Sequence, residues 1–86
     1  MTKVHKIKLE FAFCDDVMSG RKNFEVRKND RGYQLGDRIK FVPVLDGVKA
    51  YHDVIAKTYE ITYVLSAWGI QEGYVVFGIK EVMQNE

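Results

Sequence analysis

One cysteine, one proline, one tryptophan and two histidines are all that this 86-residue sequence holds of those four residue types. Cys14 has no partner for an internal disulfide, which excludes a secreted, stapled scaffold and makes a reducing cytoplasm the expected compartment. His5 and His52, with a single cysteine, supply no CxxC or HxxxH spacing, so no metal site is expected. Neither a Ser-His-Asp order nor a glycine-rich phosphate loop is present, and no cofactor is implied. No segment approaches the ~18 continuous apolar residues of a membrane span. Met1 to Lys6 lacks the apolar run of a signal peptide, so a soluble protein away from the membrane is expected. Charge of one sign is not in excess either. Thirteen Lys and Arg against twelve Asp and Glu leave a net charge of +1. That balance excludes a protein that coats nucleic acid by bulk charge.

What is present is the material of a core. Hydrophobic residues make up 47% of the chain, with five Phe and five Tyr. This suffices for one domain over residues 1–86, near the lower size limit for a self-sufficient core. The charge is unevenly placed. Residues 21–40 carry seven basic against three acidic side chains, whereas residues 41–86 carry three against six. A single basic segment on an otherwise neutral to acidic chain suits a local anionic or polar ligand better than a long phosphate track.

Along the chain, Ile7 and Leu9 alternate with Lys6 and Lys8, as a half-buried strand over Val4 to Leu9 requires. From Phe11 the spacing becomes helical. Phe11, Phe13, Cys14, Val17 and Met18 form an apolar stripe, with Asp15 and Asp16 outward and Ser19-Gly20 as the stop. Strands follow over about Lys22 to Lys28, Arg38 to Val44, Asp53 to Leu65 and Tyr74 to Val82, separated by turns at Asn29–Gly32, Gln34–Asp37 and Asp46-Gly47. In the long strand Tyr59, Ile61, Tyr63 and Leu65 share a parity, and in the last strand Val75, Phe77 and Ile79 do. Pro43 marks an edge or a bulge. Five strands and one early helix have too much edge for an open sheet in so short a chain. The expected fold is therefore α+β, mainly β: a curled sheet or small barrel with the helix covering one opening.

Chemistry is densest between Gly20 and Gly32, where seven charged side chains lie among thirteen residues. Glu25 and Arg27 share a strand face opposite Phe24 and Val26. A guanidinium fork beside a carboxylate can read a base edge, and the same pair can equally serve as an ion pair holding the barrel mouth. Lys22, just past the helix stop, reads as a charge partner or phosphate contact. It joins the other two only if a bend interrupts strict alternation. Lys28 and Arg31 suit phosphate contacts, with Asn29 and Asp30 capping the turn. Trp68, in the Ser66–Gly73 loop, and Tyr74 beside it are candidate stacking platforms. Tyr59, Tyr63, Phe77, Cys14 and His5 read as structural.

The segment Gly20-x-Lys22-x-x-Glu25-x-Arg27 resembles the GxKxxExR signature of the ASCH superfamily, small barrels related to the PUA RNA-binding fold. The likeness extends to Ser19-Gly20, Phe24–Arg31, Gly36-Asp37, Glu60–Leu65 and Glu72–Val76, which resemble an uncharacterised bacterial and phage-associated branch described as PUA-like or RNA-binding. It implies a pocket between barrel and helix, lined by the signature side chains, that takes RNA or a modified nucleoside. Some relatives deacylate an acylated cytidine with a lysine at the place of Lys22 and a threonine three residues on. Here that position is Glu25, a departure that tells against the activity. The leading expectation is an RNA- or nucleotide-binding module built on Lys22, Glu25, Arg27, Lys28, Arg31, Trp68 and Tyr74. A small amidohydrolase or RNA-cleaving enzyme centred on Lys22 and Glu25 is the second reading, and a protein-interaction module the third.

Overall fold

Alternating hydrophobicity dictates most of the architecture. The computed structural model describes residues 2–83. Its elements are β1 (Val4–Glu10), α1 (Phe11–Met18), β2 (Phe24–Lys28), β3 (Arg38–Leu45), β4 (Val48–Lys49), a 3₁₀ turn (Asp53–Ala56), β5 (Tyr59–Leu65) and β6 (Tyr74–Glu81). The strands form one sheet in the order β1-β3-β5-β6-β2, with β4 paired to β3 beside this path. Only β1 and β3 are parallel, in the register Val4 to Arg38 through Glu10 to Val44. The two ends of the path, β1 and β2, are joined in sequence through α1, so the sheet curls into an open barrel with its seam between them.

The inward rows fill that barrel. His5, Ile7 and Leu9 of β1, Ile39 and Phe41 of β3, Tyr59 and Ile61 of β5, and Val75, Phe77 and Ile79 of β6 are all buried. Each such apolar side chain contributes about 1.5–3 kcal/mol by leaving water. From α1, only Cys14 and Val17 are buried. Burial, followed by the charge of Asp15, pushes the Cys14 thiol above its ordinary value, as suits an inert core cysteine.

Several expectations need correction. The β2 ladder starts at Phe24 rather than Lys22, because the Lys22 N–H is taken by the Asp16 carbonyl at the helix end. Phe11 and Phe13 stay largely exposed, since an eight-residue helix presents only one narrow face to the core. Asp53 to Leu65 is not one strand. The His52 ring nitrogen Nδ1 accepts the Val54 N–H at 3.0 Å and nucleates the 3₁₀ turn, so β5 begins only at Tyr59. The two-residue strand β4 carries no sequence signal of its own.

Tyr63 also faces outward, at 64% exposure. Ile61 pairs with Ile79 but Tyr63 with Gly78, which leaves Thr62 as an extra residue and reverses the parity beyond it. Val64, not Tyr63, packs on the core. Gly78 faces this bulge, and a Cβ there would lie 2.7 Å from the Thr62 hydroxyl. Pro43 sits where β3 has left the β5 ladder, which holds only Arg38 and Ile39, and the short β4 hairpin begins; the Pro43 carbonyl accepts the Ala50 N–H at 3.0 Å.

Among the described residues the Tyr59 hydroxyl is buried with no hydrogen-bond partner. Burial, with the nearby Glu81 and Cys14 charges, pushes it up to about 12. Tyr59→Phe is therefore expected to leave thermal stability unchanged or raise it by up to ~1 kcal/mol. An unfolded tyrosine ionises near 10, so wild-type stability should fall between pH 10 and about 12, and the Phe variant should lose less in that window. Urea midpoints across that range check both statements. A Phe variant less stable by more than 1 kcal/mol at neutral pH would show that the hydroxyl is satisfied after all.

Candidate functional site

The end of α1 sets the site. Ser19 and Gly20 donate their N–H groups back to the carbonyls of Asp15 and Val17, and Gly20 takes φ +82°, the left-handed conformation that glycine adopts without strain. The chain reverses there, and the Lys22 N–H closes on Asp16 at 2.9 Å. Lys22 thus precedes the ladder, and this bend lets its side chain join the face that Glu25 and Arg27 share.

The three signature side chains meet at the seam. Lys22 Nζ donates to Glu25 Oε2 at 2.7 Å and to the Phe24 carbonyl at 2.9 Å. Arg27 Nε donates to Glu25 Oε1 at 3.1 Å. The Arg27 Nη2 group also donates to the Lys8 carbonyl, across from β2 to β1. Glu25 is the buried member, at 3% exposure, whereas the Lys22 and Arg27 side chains keep about a fifth to a quarter of their surface in solvent. Lys22 Nζ also lies 5.4 Å from the centre of the Phe13 ring and 5.1 Å from that of Phe24, within cation–π range.

Around this trio lies a cleft of about 540 Å³, walled by Lys8 and Glu10 of β1, Phe13 of α1, and Phe24 and Val26 of β2. The donor count gives its chemistry. Among the described residues, Lys22 uses two of its three N–H donors and the Arg27 Nη1 group has no hydrogen-bond partner. Each Glu25 oxygen can accept once more. The cleft therefore offers spare cationic donors and one buried carboxylate with residual acceptor capacity, beside two aromatic faces. That set can hold a planar polar group, a carbonyl or a phosphate oxygen. Among the described residues, no group of three or more His, Cys, Asp or Glu is placed to hold a metal ion.

Other candidates from the sequence lie elsewhere. Lys28 and Arg31 are exposed and do not line the cleft. Tyr74 is the register partner of Lys28 at the far end of β2. Trp68 is 90% exposed, on a backbone with φ +60°, and is also outside it. Four cleft members were not legible as such. Phe13 read as part of the helix's apolar stripe and Phe24 as lying on the face opposite Glu25, Glu10 carried no signal, and Lys8 participates through its backbone carbonyl, which no side-chain pattern reports. His5, read as structural, is paired with Asp37 Oδ2 at 2.8 Å inside the barrel.

Two comparisons bear on descent. Residues 4–79 match the family model described as a domain of unknown function, DUF3850. The chain is also 37% identical over 76 residues to a protein of Escherichia phage P2 described as an uncharacterized 12.9 kDa protein in the GpA 3' region, covering 88% of this chain and 67% of that protein. The family match runs from β1 through the helix and the cleft into β6, and the chain belongs to the DUF3850 family.

Proposed function

We propose that the chain is a cytoplasmic ASCH-like, PUA-like module that binds RNA or a nucleotide-like ligand in the cleft at the β1–β2 seam. The observation that carries this reading is the buried Glu25 carboxylate shared by Lys22 and Arg27. A buried carboxylate is costly unless it is paired, and here both partners retain donors that face a cleft with aromatic walls. A base edge would accept from the Arg27 Nη1 group, its exocyclic amine would donate to Glu25, and Phe13 and Phe24 would pack on its faces. The resemblance to the ASCH signature supports the same ligand class. Lys22 acts here as a donor and cation, with two of its three donors committed, which favours binding over nucleophilic chemistry.

The test is an NMR amide titration with short single-stranded RNA, then with cytidine and its acylated form, product being followed in the same tube. Shifts are expected at Gly20–Arg27 and at Lys8, with no product. Arg27→Ala should weaken RNA binding about tenfold, the effect of losing one base-directed contact. Affinity unchanged in a folded Arg27→Ala protein would remove the cleft from the account, and turnover abolished by Lys22→Ala would make it an enzyme.

A further inference from the structure

The cleft is nearly neutralised from within. Lys22 and Arg27 share Glu25, which leaves the trio one net positive charge. A polynucleotide needs further cations for its phosphates, and the structure gathers four of them on one outer face. Lys6 and Lys8 lie on the outward row of β1, alternating with buried Ile7 and Leu9. Lys40 is the register partner of Lys6 on the adjacent parallel strand, and so shares that face. Lys49, on β4, completes the group. Lys6, Lys40 and Lys49 rim a shallow depression of about 270 Å³ whose floor includes Pro43, Ala50 and Ile55.

Their surroundings distinguish these lysines from most other cations of the molecule. Arg21, Lys22, Arg27, Arg38 and Lys57 each have a carboxylate within 4.0 Å. Among the described residues, Lys6, Lys8, Lys40 and Lys49 have none; Lys40 makes only a 3.4 Å contact with the Thr58 hydroxyl. The nearest acidic group on this row is Glu10, at its far end on the cleft wall. Like charges gathered on adjacent strands destabilise one another, so the face is electrostatically incomplete without an anion. It is also continuous with the cleft, because Lys8 lines the cleft and stands two residues, about 7 Å, from Lys6 along β1.

We propose that this outer face of β1, β3 and β4 holds the phosphates of a single-stranded RNA whose base occupies the cleft. The ligand is then an oligonucleotide rather than a free nucleotide. This rests on the reading of the cleft as a base site, and the two are separable by experiment. Binding of a labelled twelve-nucleotide single-stranded RNA and of cytidine monophosphate is measured from 50 to 200 mM salt for the full chain, for Lys6→Gln/Lys49→Gln, for Arg27→Ala, and for Lys57→Gln/Lys80→Gln as a charge-matched control elsewhere. The two face lysines should contribute about 1.4 to the salt slope, so their loss should flatten it by that amount and weaken the oligonucleotide at least about tenfold at 50 mM. Cytidine monophosphate binding should be unchanged by that pair, and the control should retain most of its oligonucleotide affinity. Equal losses in the face and control pairs would reduce the effect to bulk charge and overturn the proposal. So would an unchanged oligonucleotide affinity in Lys6→Gln/Lys49→Gln, in which case a loss in Arg27→Ala alone would leave the cleft reading standing. Loss in the lysine pair with none in Arg27→Ala would keep the face and discard the cleft; no binding by the wild-type chain would discard both.

Discussion

Glu25→Ala is expected to cost about 2–3 kcal/mol of folding stability, below the 3–5 kcal/mol seen when a fully buried ion pair loses one member. The discount follows from geometry. Glu25 is 3% exposed, but its partners keep 19% and 24% of their side-chain surface in solvent, so water can replace part of what the carboxylate supplies. Glu25→Gln keeps an acceptor for one partner and should cost roughly half as much. Ligand binding should move in the opposite sense at low salt. Without the carboxylate the trio's net charge rises from +1 to +2, which strengthens non-selective attraction to phosphate and steepens its salt dependence, while discrimination between bases falls. Urea unfolding and RNA titration of the two variants test this together. Variants as stable as wild type would mean that the Lys22–Glu25–Arg27 bridge contributes nothing to closure of the seam.

Asp37→Asn should be the other severe substitution, at about 2–3 kcal/mol, because one buried carboxylate satisfies three donors. Asp37 Oδ2 accepts from His5 Nε2 at 2.8 Å and from the Gln34 N–H at 3.2 Å, and Oδ1 accepts from the Lys3 N–H at 3.2 Å. It thereby ties the entry of β1 to the turn before β3, and the His5 ring it holds packs tilted against Tyr33, which in turn packs on Phe77. Burial alone would push the Asp37 carboxyl up. The hydrogen bonds from His5, Lys3 and Gln34 outweigh it and hold the group below its ordinary 3.8. The unfolded chain then binds the proton more readily than the folded one, so the stabilisation is complete above about pH 4 and disappears as pH falls through the lower folded value. Urea midpoints from pH 6 to pH 2 should show wild type and Asn variant converging at the acid end. A constant gap over that range would place the destabilisation in the lost acceptor oxygen rather than in the charge.

Much of the fold is written in side-chain parity. The alternation of Ile7 and Leu9 with Lys6 and Lys8 fixed which face of β1 is buried, and Val75, Phe77 and Ile79 did the same for β6. Gly20 marked the helix stop through its left-handed backbone. The shared parity of Glu25 and Arg27 likewise places them on one face. What the sequence did not disclose depends on single local competitions. A two-residue period cannot announce the one-residue insertion at Thr62 that turns Tyr63 outward. A run rich in Val, Ile and Tyr cannot announce that the His52 ring will capture the Val54 N–H and divert Asp53–Ala56 from a strand into a 3₁₀ turn. Hydrophobicity predicts burial for Phe11 and Phe13 equally with Val17, yet the helix has room for only one stripe. Partner choice across the sheet, β1 beside β3 rather than β2, sets the basic outer face, and it is a long-range event invisible to any local window.

The seam closed by Arg27 has a kinetic consequence. A barrel sealed by a backbone ladder opens only by unzipping many amides together, whereas here one guanidinium reaching the Lys8 carbonyl spans β2 and β1. Opening is then a low-energy breathing motion, separate from global unfolding. Amide hydrogens on the outer flanks of β1 and β2 should exchange with solvent far sooner than those of β6, which is paired on both sides. A ligand that engages both Arg27 and β1 would slow that exchange without touching the rest of the sheet, so that occupancy could be read as a change in how often the domain yawns.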